Sequence, residues 1–122
     1  MDAVKAVLVA DSKCVLWRNE IGSSTHWPTG EARKGPIRYG VANPGGSDLI
    51  GLYGARFLAI ECKTVRGQQS AWQVAFERCI TARGGIYALV RSEPQAADLL
   101  AWLQAGSIGA LPAGLAGGGA AQ

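Results

Sequence analysis

Glu61 and Lys63 stand two residues apart in Arg56-Phe57-Leu58-Ala59-Ile60-Glu61-Cys62-Lys63, a run that reads as a strand. Side chains alternate along a strand, so the acid and the base project from one face while Ile60 and Cys62 project from the other. Asp48 opens the preceding run, Asp48-Leu49-Ile50-Gly51-Leu52, and a turn through Tyr53-Gly54-Ala55 folds the two runs into a hairpin that brings Asp48 toward Glu61. Two carboxylates side by side repel each other unless a proton or a cation joins them. With no histidine or thiolate beside them, their oxygens suit a hard octahedral ion, Mg²⁺ first and Mn²⁺ as its substitute. Such an ion polarises a phosphoryl oxygen and acidifies a bound water. The Lys63 ammonium would hold the attacking water or offset charge developing at phosphorus. Gln73 lies in the first turn of the next helix, where it either orients water or phosphate or simply caps the helix with Ser70. An isolated E-x-K is more often a surface ion pair. Gly46-Ser47-Asp48 upstream and Gln73 downstream weigh toward chemistry.

The elements that must position these residues follow from periodicity and punctuation. Val4, Val7 and Leu8 predict a short N-terminal helix stopping near Asp11-Ser12, and Cys14-Val15-Leu16-Trp17 predicts a strand entering Arg18-Asn19-Glu20. Residues 21–46, rich in Gly, Ser, Thr and Pro, read as a long loop carrying Arg33-Lys34-Gly35-Pro36-Ile37-Arg38. A helix begins at Ser70, is expected to bury Trp72, Phe76, Cys79 and Ile80, and stops at Gly84-Gly85. Ile86-Tyr87-Ala88-Leu89-Val90 is uniformly apolar and is assigned to the interior of the sheet. Ser92-Glu93-Pro94-Gln95 repeats the capping pattern and opens a last helix that buries Leu99, Leu100 and Leu103. Trp17, Trp72 and Trp102 fall on apolar faces and are expected in the core, whereas Trp27 in the basic loop is a candidate for stacking on an unpaired base. This order predicts an α/β fold with a mixed central sheet flanked by helices. Residues 1–104 form the domain, and the Gly- and Ala-rich 105–122 are expected to be a mobile tail with little to pack.

Composition narrows the function classes. A chain of 122 residues suits one core, and its apolar content is sufficient to bury one. No apolar run approaches a bilayer span and no signal peptide is evident, so a cytoplasmic location without membrane attachment is expected. Three cysteines without C-x-x-C spacing argue for reduced thiols in a core and against disulfides or zinc. His26 is the only histidine, and the glycines lack a P-loop's G-K-[ST] ending, so no nucleotide cofactor is expected. Ser47 and Ser70 have no histidine nearby in sequence and read as turn and cap rather than nucleophiles. Between Lys13 and Arg91 lie eleven basic and five acidic residues, and if Asp48 and Glu61 hold a cation, that surface suits a polyanion.

Three segments together carry a resemblance. Gly45-Gly46-Ser47-Asp48-Leu49-Ile50-Gly51, Phe57-Leu58-Ala59-Ile60-Glu61-Cys62-Lys63-Thr64 and Gly67-Gln68-Gln69-Ser70-Ala71-Trp72-Gln73 are similar to the PD-(D/E)XK nuclease superfamily, and within it to the VRR-NUC family. The likeness extends through Phe76, Gly84-Gly85 and Val90-Arg91-Ser92 and back to Trp17-Arg18-Asn19, covering roughly residues 13 to 104. It implies the restriction-endonuclease-like core. It also implies a metal held by Asp48, Glu61 and the backbone carbonyl of Cys62, a site completed by Lys63 and Gln73, and products with a 5′-phosphate. Ser47 stands where the superfamily's name has Pro, a position that ligates nothing. The family's N-terminal helix often adds an acid, for which Asp2 and Glu20 are both open.

The resulting expectation is a Mg²⁺-dependent DNA endonuclease selective for branched or four-way junction DNA, with Arg18, Arg33, Lys34, Arg38 and Arg66 on the DNA. The alternative is a non-catalytic nucleic-acid-binding module with a nuclease fold. Sequence-specific restriction is disfavoured because the chain has no room for a separate reading domain. Small stand-alone members of the family resemble phage and mobile-element proteins acting in a bacterial host. They pair as homodimers, and a homodimer is expected here because symmetric resolution of a junction needs two cuts.

Overall fold

The computed structural model describes residues 1–20, 22–26 and 32–119. In chain order these form α1 (Asp2–Val9), β1 (Cys14–Arg18), β2 (Gly22–His26), β3 (Ala32–Tyr39), β4 (Leu49–Tyr53), β5 (Arg56–Cys62), α2 (Ala71–Ala82), β6 (Ile86–Val90) and α3 (Glu93–Gln104). The fold is mixed α/β, with a four-stranded sheet in the order β1-β4-β5-β6. The pairs β1–β4 and β4–β5 are antiparallel, and β5–β6 is parallel because α2 carries the chain back between them.

Register sorts the side chains into two faces. Leu16, Gly51, Leu58 and Ile86 stand in one cross-strand row, and Leu49, Ile60 and Ala88 occupy the row beside it on the same face. Val4 and Leu8 of α1 and Ala96, Leu99 and Leu103 of α3 pack on these rows to form the main core. Burying aliphatic side chains of this kind stabilises the fold by about 1.5–3 kcal/mol each. The opposite face carries the row Trp17, Ile50, Ala59 and Tyr87. There α2 covers the β5–β6 half, with Phe76 set edge-on to Tyr87 at a ring separation of 6.1 Å.

Several sequence expectations are corrected. Part of the long loop expected over 21–46 is a second, two-stranded antiparallel sheet formed by β2 and β3, so Arg33, Lys34 and Arg38 lie on a strand. Asn43 fastens the base of this hairpin by donating to the carbonyls of Gly22 and Tyr39 at 2.6 and 2.9 Å. β6 is an edge strand by pairing order, although all five of its residues are buried. Its outer side is covered by the segment after α3, where the Leu89 N–H donates to the Leu115 carbonyl at 2.8 Å. That segment, expected to have little to pack, places Leu115 at 1% exposure and directs the N–H groups of Gly117 and Gly119 onto Glu77 at 2.9 Å each.

α2 buries Glu77 rather than Trp72 and Cys79, both of which are exposed. The Glu77 carboxylate is fully enclosed because Gln69 and the two glycine amides supply its hydrogen bonds. Trp17 is 57% exposed and Trp72 is 62% exposed, against the expectation of core positions, while Trp102 is half-buried against the main core. Of the three thiols only Cys14 is fully buried. Among the described residues no helix is long and apolar enough to cross a membrane.

Candidate active site

Asp48 and Glu61 meet where the hairpin register places them. Leu49 pairs with Ile60, so the next positions outward, Asp48 and Glu61, face each other at the end of the β4–β5 ladder. Asp48 is fixed from both sides. Its carbonyl accepts the Asn19 N–H at 2.8 Å, and its Oδ2 accepts the Cys62 N–H at 2.8 Å. Asn19 also donates to the carbonyls of Val41 and Ser47 at 3.0 Å each and accepts the Val41 N–H at 2.9 Å, pinning the approach to Asp48. Ser47, fully buried, donates its hydroxyl to the Leu49 carbonyl at 2.9 Å, a turn role and not a nucleophilic one.

Glu61 points into a drier setting, with a side chain only 5% exposed. Its Oε1 accepts the Gln73 Nε2–H at 3.1 Å and pairs with Lys63 Nζ at 3.7 Å. Its Oε2 is buried with no hydrogen-bond partner. Burial raises the Glu61 pKa to about 7, the Asp48 charge pushes it the same way, and Lys63 opposes both. Gln73 caps the helix, its Oε1 accepting the Ser70 N–H at 2.8 Å in a full capping box, and its amide reaches Glu61.

Asp48, Cys62, Lys63, Thr64 and Met1 line a cleft of about 350 Å³. Burial and the Asp48 charge push the Cys62 thiol up to about 11, so at neutral pH it is neither nucleophile nor thiolate ligand. No family model matches this chain, and no curated protein matches it. The chemistry of the site therefore rests on its own geometry. A buried carboxylate oxygen without a donor, beside a second carboxylate, is costly unless a proton or cation stands there. The donor set fits a hard divalent ion on that ground. No cluster of three or more His, Cys, Asp or Glu side chains occurs among the described residues. Of the two further acids considered, Glu20 is exposed and pairs with Arg18 at 3.4 Å, and Asp2 is exposed in the first turn of α1.

Five basic residues are expected on DNA. Arg18, Arg38 and Arg66 are exposed, whereas the side chains of Arg33 and Lys34, and Trp27 entirely, lie outside the described residues. Sequence reasoning gave no role to Arg91 or Gln69. Arg91 Nη1 donates to the carbonyls of Thr64, Val65 and Gly67 at 2.7, 3.3 and 2.6 Å, clasping the loop that leaves Lys63. Gln69 donates to Glu77 Oε1 and to the Tyr87 hydroxyl at 3.1 and 3.2 Å, tying the start of α2 to the sheet. The signals in the sequence are that Arg91 directly follows an apolar strand and precedes a capping serine, and that both Arg91 and Gln69 fall in segments carrying the family resemblance.

Proposed function

We propose that this protein is a metal-dependent DNA endonuclease of the PD-(D/E)XK type, similar to the VRR-NUC family, acting on branched DNA. The observation that carries the reading is the donorless, buried Oε2 of Glu61 next to Asp48 and Lys63, two residues that line an open cleft. Mg²⁺ would be held by Asp48, Glu61 and the Cys62 carbonyl, with Mn²⁺ as its substitute. When bound, such an ion supplies Lewis-acid stabilisation of phosphoryl charge and a more acidic water.

The chain's own groups do the rest. Lys63, 19% exposed at the cleft, brings one positive charge to where the scissile phosphate would gain negative charge, and it can orient a water by donation. Gln73 holds the Glu61 carboxylate in one rotamer, so the site is organised before substrate arrives. Arg91 fixes the loop after Lys63 and positions that lysine without touching the reacting atoms. Arg18, Arg33, Lys34, Arg38 and Arg66 supply phosphate contacts that position a duplex without reading its sequence. A homodimer would present two such sites to the two strands of a junction. The test is a supercoiled plasmid incubated with the protein. Nicking in Mg²⁺ that stops in EDTA supports the reading, and DNA binding without cleavage in either Mg²⁺ or Mn²⁺ leaves only a binding module.

A further inference from the structure

The face of the sheet that carries Glu61 is covered only in part. α2 packs on β6 and reaches Glu61 of β5, α1 and α3 lie on the opposite side, and among the described residues no helix packs on the β1–β4 half of this face. Val15, Trp17 and Leu52 project from it and are 43%, 57% and 40% exposed. Trp17 pairs with Ile50, and Ile50 pairs with Ala59, two residues before Glu61 on the same strand. With strands about 4.8 Å apart and about 6.8 Å per two residues, the Trp17 and Glu61 backbones stand roughly 12 Å apart on one face. A second exposed indole borders the same end. Trp72 is 62% exposed, and a Cβ on Gly45, three residues before Asp48, would stand 2.9 Å from its Cβ. Exposed tryptophans thus stand on β1, on the Glu61 face of the sheet, and in the first turn of α2, where the Trp72 backbone packs against the segment leading into Asp48.

We infer that Trp17 and Trp72, with the apolar strip of Val15 and Leu52, form a platform on which unpaired bases of the substrate stack while the adjoining phosphate enters the cleft. This rests on the nuclease reading and names the substrate class: DNA with single-stranded nucleotides beside the scissile bond, such as a flap or an opened branch. Every base offers a flat π-face to an indole, so stacking binds single strands without sequence preference. A fully paired duplex hides those faces. The exposed apolar area of Val15, Trp17 and Leu52 is on the order of 300 Å², well below the roughly 800 Å² per partner of a stable protein interface, which weighs against a second protein chain as the occupant. Exposed Arg18 follows Trp17 at the end of β1, and its charge suits a polyanion.

The test compares wild type, Trp17→Ala, Trp17→Phe and Trp72→Ala by fluorescence anisotropy in EDTA. The probes are a short blunt duplex and the same duplex carrying an unpaired oligothymidine flap. Circular dichroism confirms that each variant is folded. The expected result is that wild type prefers the flap, that each alanine variant loses roughly tenfold more affinity for the flapped probe than for the duplex, and that Trp17→Phe retains most of the preference. Equal losses on both probes, or none, would overturn the platform. So would conversion of a dimer to a monomer by Trp17→Ala in light scattering, because the strip would then belong to self-association. Plasmid cleavage by the same wild-type preparation in Mg²⁺ separates the two readings. Its absence removes the nuclease, whereas cleavage without a flap-selective loss removes the platform alone.

Discussion

Gln73 donates its amide to Glu61 across 3.1 Å while its carbonyl oxygen caps the backbone of Ser70 at 2.8 Å. One side chain thus links the start of α2 to the carboxylate that the site depends on, and a substitution there tests two functions at once. Gln73→Ala should cost about 1 kcal/mol of stability through the lost cap. It should also lower cleavage by roughly ten- to a hundredfold, because Glu61 loses its orienting donor. Gln73→Glu keeps an acceptor for Ser70 but adds a carboxylate beside Glu61, so stability should largely recover and activity should not. Parallel recovery of both would separate Gln73 from the site.

Glu61 is held in the folded state with its pKa raised to about 7. The folded protein therefore binds a proton more tightly at this group than the unfolded chain does. The resulting stabilisation is full below about pH 4.5 and is lost as pH rises through 7. At pH 8 in EDTA, Glu61→Gln should raise stability by on the order of 2 kcal/mol, or several degrees in Tm, with a much smaller change at pH 5. Thermal unfolding at the two pH values checks this. A lower Tm for the variant at pH 8 would mean that the ionised carboxylate is stabilising as it stands.

On the proposed reading a metal ion would compete with the proton for the Glu61 oxygens. Mg²⁺ affinity should rise with pH through about 7, with close to one proton released per ion at pH 6 and almost none at pH 8.5. Calorimetry in buffers of different ionisation enthalpy measures the released proton directly. Asp48→Asn and Glu61→Gln should each weaken binding while leaving the fold intact. Unchanged affinity in both would remove these residues as ligands.

Gly117 packs against the buried head of Glu77, where any Cβ would run into Glu77 Oε1 and the Gln69 amide. Gly117→Ala should destabilise the protein by about 2 kcal/mol or more by overpacking an enclosed polar cluster. Glu77→Leu should cost at least as much, since two backbone N–H groups would be left without acceptors. Denaturant unfolding of both variants checks the packing. Wild-type stability in both would return residues 116–119 to the unpacked tail that their composition suggests.

Arg33, Lys34 and Arg38 are expected to contact phosphates rather than bases. Neutralising all three should lower affinity uniformly across sequences and flatten the salt dependence of duplex binding by roughly 0.9 per lost contact. An unchanged slope would assign them to solvated surface.

The end of the fold that holds Asp48, Glu61 and Lys63 is legible in the sequence because its signals are local. A strand alternates every second residue, which put Glu61 and Lys63 on one face, and the short turn after Tyr53 set the register that aligns Asp48. The capping residues Ser70 and Gln73 marked the helix that reaches Glu61. What stayed hidden depends on distant partners. Trp17 and Trp72 have the spacing of buried residues, and Trp17 is exposed on the β1–β4 part of a face where, among the described residues, no helix packs. The β2 and β3 segments lack apolar alternation and carry Gly, Ser and Pro, so hairpin and loop look alike there. Glu77 reads as a solvated helix charge until Gly117 and Gly119 are seen to bond to it, and those glycines gain meaning only from the carboxylate they enclose.

The central claim is hydrolysis of a DNA phosphodiester at Asp48, Glu61 and Lys63 with Mg²⁺. It is tested most directly by analysing the ends produced from a flapped or four-way junction substrate by wild type, Glu61→Gln and Lys63→Ala. Wild type is expected to give Mg²⁺-dependent cuts bearing 5′-phosphates, Glu61→Gln none, and Lys63→Ala at least a hundredfold slower appearance, with all three proteins folded and bound to the DNA. Wild-type cleavage that persists in EDTA, or Lys63→Ala cutting at close to the wild-type rate, would contradict it.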